Sequence, residues 1–445
     1  MQEIQLDEKI LSKIDFKANE EKDITITGMI QNLRVLGWGA FLILRTPEYT
    51  LQTIIDKNNI NIPPDELLVE STVSITGTVK PATIKDKALN PRDYEIHVKS
   101  IEIIAASALK ELPADTTKKE LNVHLDTKFD LRPLTLRHPR ERAIFRIAST
   151  IAREFGDALG RLGFTQIYSP KLVASGAEGG ANIFKMDYFG REAYLAQSPQ
   201  FYKQMMVGVY GRVFEVAPVF RAEKHDTSRH LNEYISLDLE MGYIKDFYDL
   251  IKVESLVLKS IFEKLESNCA HEIELLDIEI PKIDKIVTIK FKEVHEIIFN
   301  EFKKDYRAEK DLAPEEEKLI CQYSKENWGS ELLFVTHYPS EKRPFYTLDD
   351  PDDPGYTCSF DLLFRNVEIT TGGQRLHVYD DYVKKMTSLG MNVNNFESYL
   401  QTFKFGMPPH GGLGLGLERL TSQICGLANV KEASLFPRDI NRLEP

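Results

Sequence analysis

Cysteine is scarce in this chain. Cys269, Cys321, Cys358 and Cys425 stand far apart, and no CxxC pair exists. A zinc ribbon and a dithiol redox motif are therefore excluded, and a reduced intracellular compartment is the expectation. No apolar run reaches 18 residues, so no membrane span is expected. The opening MQEIQLDEKI carries three acidic residues and no apolar h-region, so no secretory signal is expected either. Together these absences point to a soluble, cytoplasmic protein. An excess of positive charge is also missing: 56 Lys and Arg face 68 Asp and Glu, a net charge of −12. Such a chain does not coat nucleic acid indiscriminately, although a local basic and aromatic patch can still bind one. Glycine (25) and proline (21) are near average, which excludes collagenous and low-complexity chains.

What remains is a globular balance, 42% hydrophobic and 28% charged over 445 residues, enough for two or three domains. The first hundred residues read as β-rich. Residues 23–30 (DITITGMI), 71–80 (STVSITGTVK) and 94–104 (YEIHVKSIEII) alternate, and 39–45 (GAFLILR) is a stronger apolar run. Residues 51–59 read as a strand end leading into a helix. Several short strands with one helix suit a small closed barrel of the oligonucleotide-binding (OB) type, assigned to 1–105, with a generic β-domain as the alternative. Residues 106–135 are polar and irregular, and read as a linker or hinge. The third region, 136–445, mixes helices and strands. Apolar positions 144, 147, 151, 155, 159 and 162 make a helix of 140–162, with Gly163 as its C-cap. Further helices are expected near 248–268, 291–302, 314–326, 379–389 and 394–405, and strands near 165–168, 193–195, 213–219 and 235–244.

Three segments place charge inside strand-like contexts, where charge is rarely buried unless paired or liganded. The first is VFRAE (219–223), then the loop KHDTSRHLNEY and the strand ISLDLEMGY. Its arginines suit a phosphate-bearing ligand, because the guanidinium is a fixed fork of donors. A surface hairpin laced with ion pairs is the alternative. The second is SFDLLFRNVE (359–368), followed by ITTGGQRLH. Asp361 and Glu368 beside phosphates suit Mg²⁺, and Arg375 could meet a carboxylate bidentately, with a strand of exposed acids and a turn as the alternative. The third is PPHGGLGLGLERL (408–420), whose glycines permit close backbone approach. It lacks the GxxxxGK[ST] pattern of a P-loop, and a glycine-packed strand–helix turn is the alternative.

Taken in order, these segments resemble the three signature motifs of class II aminoacyl-tRNA synthetases. The helix before GFTQIYSP, with Pro170, resembles motif 1. FRAE with its loop and LDLEM resembles motif 2, and GLGLGLERL resembles motif 3. SGAEGGANIF, AQSPQFYK, FRAEKHDTSRHLNE, EKRPFY, EITTGGQRLH and FPRDINRLEP are similar to aspartyl enzymes of archaeal type within subclass IIb. The resemblance implies an α+β chain: an N-terminal OB-fold anticodon-binding barrel plus a class II catalytic domain, an antiparallel sheet flanked by helices. It implies an aspartate–tRNA ligase that forms aspartyl-adenylate from ATP and L-aspartate and passes it to the 3′ end of tRNA(Asp). A non-discriminating form that also charges tRNA(Asn) is the alternative. A homodimer, Mg²⁺ and no membrane partner are implied as well.

Residue roles follow from the same resemblance. Arg221, Arg419 and Glu368 are expected to be catalytic. L-Aspartate is expected at Glu178, Ser198, Gln200, Lys203, Arg221, Asp238, Thr371 and Arg375. ATP is expected at Arg221, Glu223, Arg229, His230, Leu231, Tyr234, Glu368, Gly416, Leu417, Glu418 and Arg419. Asp361, Glu368 and Thr371 are expected to hold Mg²⁺, and Arg34, Phe41 and Gln52 to meet the anticodon. Three positions depart from or colour the pattern. Met29 stands where tryptophan is common in the family. His337 stands where an acid is common. Gln31 stands where histidine often accompanies relaxed tRNA recognition, which leans the reading toward strict specificity.

Overall fold

The computed structural model describes residues 13–174, 176 and 182–444. Two compact units are present, Met1–Arg142 and Ala143–Pro445. In the first, β1 (Asp23–Val35), β2 (Gly39–Arg45), β3 (Thr50–Asp56), β4 (Thr72–Pro81) and β5 (Tyr94–Ala105) close into a barrel of order β1-β2-β3-β5-β4. Its interior is filled by alternate residues, among them Ile30, Leu42, Leu44, Leu51, Ile55, Val73 and Ile96. Residues 51–59 thus hold a strand rather than the lead into a helix. Leu51, Thr53 and Ile55 are buried at a period of two, which is a strand's period and not a helix's.

Residues 106–135 stay with this first unit. Thr116, Phe129 and Arg132 are buried, and two short helices form, α1 (Leu125–Asp130) and α2 (Arg132–Thr135). The polar composition that reads as a linker goes into ion pairs instead. Arg132 meets Glu141 at 3.0 Å and Lys128 meets it at 2.6 Å.

The chain enters the second unit along α3 (Pro139–Arg161), and Gly163 beyond it takes φ +78°, as a C-cap glycine does. Then follow β6 (Thr165–Gln166), β7 (Leu172–Val173), β8 (Lys185–Tyr188), β9 (Arg191–Leu195), α4 (Gln200–Tyr210), β10 (Arg212–Phe220) and β11 (Glu233–Gly242). Next come α5 (Tyr248–Asn268), α6 (Ala270–Leu276), β12 (Thr288–Lys290), α7 (Phe291–Phe302), α8 (Pro314–Tyr323) and β13 (Leu332–Thr336). Last are β14 (Ser359–Phe364), β15 (Val367–Gln374), α9 (Tyr379–Ser388), α10 (Glu397–Lys404), β16 (His410–Gly416) and α11 (Leu417–Cys425). Eight strands form one sheet in the order β12-β13-β14-β15-β16-β11-β10-β6. Its centre is antiparallel, and only the outer pairs β12–β13 and β6–β10 are parallel.

One sheet face packs on α3, α5 and α11. Ile144, Ile147, Ile151, Phe155 and Leu159 of α3 meet Leu237, Leu239, Leu413 and Leu415 in a single core. Each such side chain contributes about 1.5–3 kcal/mol by leaving water. The alternate residues of β11 and β16 therefore face the other way. Ser236, Asp238 and Glu240 lie in register with Gly416, Gly414 and Gly412. Gly412 is a steric requirement of this pairing, and Gly414 is a close fit. A Cβ at Gly412 would sit 2.0 Å from Glu240 Oε2, and one at Gly414 would sit 3.3 Å from Asp238 Oδ1.

Candidate active site

The glycine-relieved face opens into a cleft of about 440 Å³. The three charged segments singled out in the sequence converge here. Arg221, Glu223, Arg229, His230, Leu231 and Tyr234 line it from β10, β11 and their connecting loop. Glu368, Thr371 and Arg375 line it from β15 and the residue beyond. Gly416, Glu418 and Arg419 line it at the start of α11. Ser198, Gln200, Lys203 and Asp238 complete the wall. Leu417 is not among these lining residues: its partly buried side chain packs against the hydrophobic core. Helical rotation explains this, since α11 begins at Leu417 and adjacent residues on a helix point about 100° apart. Glu178 lies outside the described residues. His337 does not line the cleft and is buried, 3.3 Å from Asp350.

At the closed end stands a buried ionic floor. Lys203 Nζ donates to Asp238 Oδ1 at 2.7 Å and to the Leu413 carbonyl at 2.9 Å, and lies 3.5 Å from Glu240 Oε2. Arg375 Nε donates to Glu240 Oε1 at 3.0 Å, and its Nη2 to Glu240 Oε2 and Gln200 Oε1, both at 3.4 Å. Burial alone would raise the Glu240 carboxyl pKa, but Arg375 and Lys203 outweigh it and hold it below the usual range. Arg375 Nη1 takes part in none of these bonds, and the guanidinium faces the cleft. Behind it, Gln204 donates to the Tyr382 hydroxyl at 3.2 Å and pairs with His410 Nε2 at 3.0 Å. His410 Nδ1 donates to the Pro408 carbonyl at 2.9 Å. Burial pushes the His410 pKa down to about 4, so the ring is neutral at pH 7.

Glu240 escapes a reading of the sequence that takes acids singly. The signal was available: in ISLDLEM the polar residues occupy every second position, so Asp238 and Glu240 share a face.

The open end is richer in arginine. Arg419 Nη1 donates to the Glu368 carbonyl at 2.9 Å and lies 3.3 Å from Glu368 Oε1. Thr371 Oγ1 donates to the same carboxylate at 3.1 Å. Arg229 is ion-paired to Glu317 of α8, a partner the sequence did not disclose. Burial and the nearby Glu368 push the Glu317 pKa up to about 7, against the pull of Arg229 and Arg419. Glu418 accepts the Ile235 N–H at 3.1 Å, and burial lifts its pKa to about 7. Arg343, unassigned in the sequence, lines the cleft beside them and pairs with Asp361 Oδ2 at 2.8 Å.

Asp361 stands behind the cleft wall, in register with Thr371 on the neighbouring strand. Its Oδ1 is buried and makes no hydrogen bond. That bare oxygen, with Glu368 and Thr371, is a hard-oxygen donor set that fits Mg²⁺, which keeps waters and substrate phosphates for its other positions.

On the barrel, Arg34 and Phe41 are direct register partners, and Gln52 lies on the next strand. Phe41 is only half-buried, stays out of the barrel core, and meets the exposed Trp38 edge-on at 5.5 Å. Gln52 donates to Glu95 at 2.7 Å. Gln31, by contrast, is buried and accepts from Arg45, so it presents no surface for recognition.

Known proteins share this arrangement. Residues 124–440 match the family described as tRNA synthetases class II (D, K and N). An aspartate–tRNA(Asp/Asn) ligase from Thermus thermophilus is 42% identical over 97% of this chain and 99% of its own length. An aspartate–tRNA(Asp) ligase from Pyrococcus abyssi is 37% identical over 98% of each. Among solved structures, the aspartyl-tRNA synthetase of Entamoeba histolytica superposes with a TM-score of 0.85 at 31% identity, covering 100% of this chain and 96% of that one. The asparaginyl-tRNA synthetase of Pyrococcus horikoshii with asparaginyl-adenylate gives 0.87 at 29%, covering 96% and 97%. The barrel, the antiparallel sheet and the arginine-lined cleft are thus those of a known family: the chain belongs to the class II tRNA synthetases of the D, K and N group.

Proposed function

We propose that the chain is an aspartate–tRNA ligase, and the observation that carries this reading is the ionic floor of the cleft. Lys203 and Arg375 supply two cationic groups there, with Asp238 and Glu240 holding them in place. A side-chain carboxylate fits beside Arg375 Nη1. The neutral amide of asparagine would leave these donors unpaired, and sites built for a polar partner can reject its analogue by ~10⁴.

The substrate α-carboxylate is already ionised, so no general base is needed. It attacks the α-phosphorus of ATP in line and pyrophosphate leaves. Arg221 and Arg419, both on the cleft wall, neutralise the charge that develops on the phosphoryl oxygens, while Tyr234, Glu223 and His230 place the nucleoside and tail. Asp361, Glu368 and Thr371 would hold Mg²⁺, which supplies charge neutralisation on the phosphates when bound. The 3′-terminal hydroxyl of tRNA(Asp) then attacks the aspartyl carbonyl and AMP leaves. Arg34, Phe41 and Gln52 offer the anticodon a stacking face with flanking polar groups. A cytoplasmic homodimer completes the reading. The four cysteines are free thiols, which suits a reduced compartment. Among the described residues no helix is long and apolar enough to cross a membrane.

A second reading, charging of tRNA(Asn) with aspartate as well, is favoured by the Thermus thermophilus and Deinococcus radiodurans relatives, both named for the two tRNAs at 42% identity. The burial of Gln31 also removes the ground for leaning toward strict specificity. Charging purified tRNA(Asp) and tRNA(Asn) with each amino acid tests both readings. Aspartate on tRNA(Asp) alone supports the strict form, aspartate on both supports the broad form, and asparagine on either refutes both.

A further inference from the structure

The segment PEEEK opens α8, and its three consecutive acids fan out around the helix. Glu315 is exposed and hydrogen-bonds the Tyr306 hydroxyl at 2.6 Å. Glu316 is buried, accepts the Ala313 N–H at 2.9 Å, and meets His295 at 2.8 Å. Glu317 points toward the cleft and pairs with Arg229, 88 residues earlier in the chain. The helix that carries it is fixed: Ile320 and Cys321 pack with Phe291, Val294 and Leu333 in a hydrophobic core of their own. Arg229, in contrast, sits on the connection between β10 and β11, which has no regular secondary structure there.

The order of groups is informative. Arg229 lines the cleft, but Glu317 does not. The Glu317 side chain is 9% exposed and that of Arg229 is 24%. The carboxylate therefore stands behind the guanidinium, on the side away from the nucleotide space. A guanidinium has five N–H donors, so one edge can be held while the others face an anion. We propose that Glu317 is a positioning residue for the nucleotide triphosphate: from a rigid helix it fixes the loop-borne Arg229 so that the guanidinium faces the β- and γ-phosphates. This deepens the synthetase reading and rests on it. Glu317 touches no substrate itself. Its hydrogen bond goes to Arg229, so its effect is expected at the polyphosphate.

The test uses the full-length protein, with MgATP and AMP titrated separately by calorimetry, and aspartate as a control. Glu317→Gln keeps the shape and removes the charge. It is expected to weaken MgATP binding about tenfold, the usual scale for losing a group that orients a ligand-binding residue, while AMP and aspartate affinities hold. Glu317→Asp, which keeps the charge but loses one methylene of reach, should fall between Gln and wild type. In the Arg229→Ala background, Glu317→Gln should add nothing, since the pair acts as one unit. The proposal is overturned if Glu317→Gln binds MgATP like wild type, if it weakens AMP equally, as a folding defect would, or if its effect adds in full to that of Arg229→Ala. A wild-type protein that binds neither nucleotide overturns the synthetase reading together with this one. Wild-type binding of both, with an indifferent variant, overturns this one alone.

Discussion

Each unit of the molecule buries an arginine–carboxylate network, and the two differ in what they leave over. In the first unit, Arg45 reaches both oxygens of Glu70, at 2.6 and 3.0 Å, and also bonds Gln31 and the Arg137 carbonyl. Arg137 takes Glu70 as well, at 2.8 Å. Each charge is answered from within the unit. In the second, Arg375 and Lys203 are held by Glu240 and Asp238 at comparable distances, yet both cations also face the cleft. Desolvation cost is borne in both places. Buried charge by itself therefore does not mark a site. Donor capacity left over beside open space does.

Substitution at the two arginines should separate the networks most widely. Arg375→Leu removes the carboxylate reader and leaves Glu240 with Lys203 alone, so aspartate-dependent ATP–pyrophosphate exchange should fall by ~10⁴ and amino-acid selectivity should go with it. Near-normal exchange in that variant would refute the role given to Arg375. Arg45→Leu leaves the buried Glu70 with Arg137 alone and should lower stability by up to about 3 kcal/mol in chemical unfolding. Exchange per folded molecule should stay at the wild-type level. A comparable loss of exchange in the Arg45 variant would erase the contrast.

Glu254 of α5 supplies a third kind of buried carboxyl, one that no cation offsets. Burial, with the nearby Asp361, pushes its pKa up to about 8, against the pull of the Thr370 hydroxyl. The folded state therefore holds this proton between the unfolded value, 4.5, and about 8. Its contribution is full below 4.5 and is lost as pH rises toward 8. Glu254→Gln should accordingly stabilise the protein increasingly over that window, by about 1.4 kcal/mol per pH unit at most, as read from unfolding curves between pH 5 and 8. A pH-independent difference would show that the group is not protonated in the fold.

The smallest effect is expected on the barrel. Phe41→Ala should weaken tRNA charging by the loss of one stacked base, about 1–3 kcal/mol, and leave exchange intact. Equal loss of both activities would make Phe41 a structural residue.

Much of the cleft was legible because its strands obey period two. ISLDLEM and HGGLGLG each separate a core face from a polar or glycine face, and the glycines answer the acids across the ladder. The order of the charged segments was equally open to reading. Other features depend on tertiary contact and left no local trace. Glu317 is one acid in a run of three, and only the seating of α8 shows which of them meets Arg229. Arg343 and Asp361 pair between separate segments. Residues 106–135 looked like a linker because their polar groups find partners beyond their own neighbours, as Thr116 does when its carbonyl accepts Gln31. Leu417 is assigned to the nucleotide from its place in a motif, and only the phase of α11 shows that its side chain packs against the core.

ATP–pyrophosphate exchange by the purified protein, run with aspartate and asparagine in parallel, bears most directly on the cleft's ionic floor. Exchange with aspartate and none above background with asparagine is the expected result. Equal exchange with both, or none with either, would contradict it.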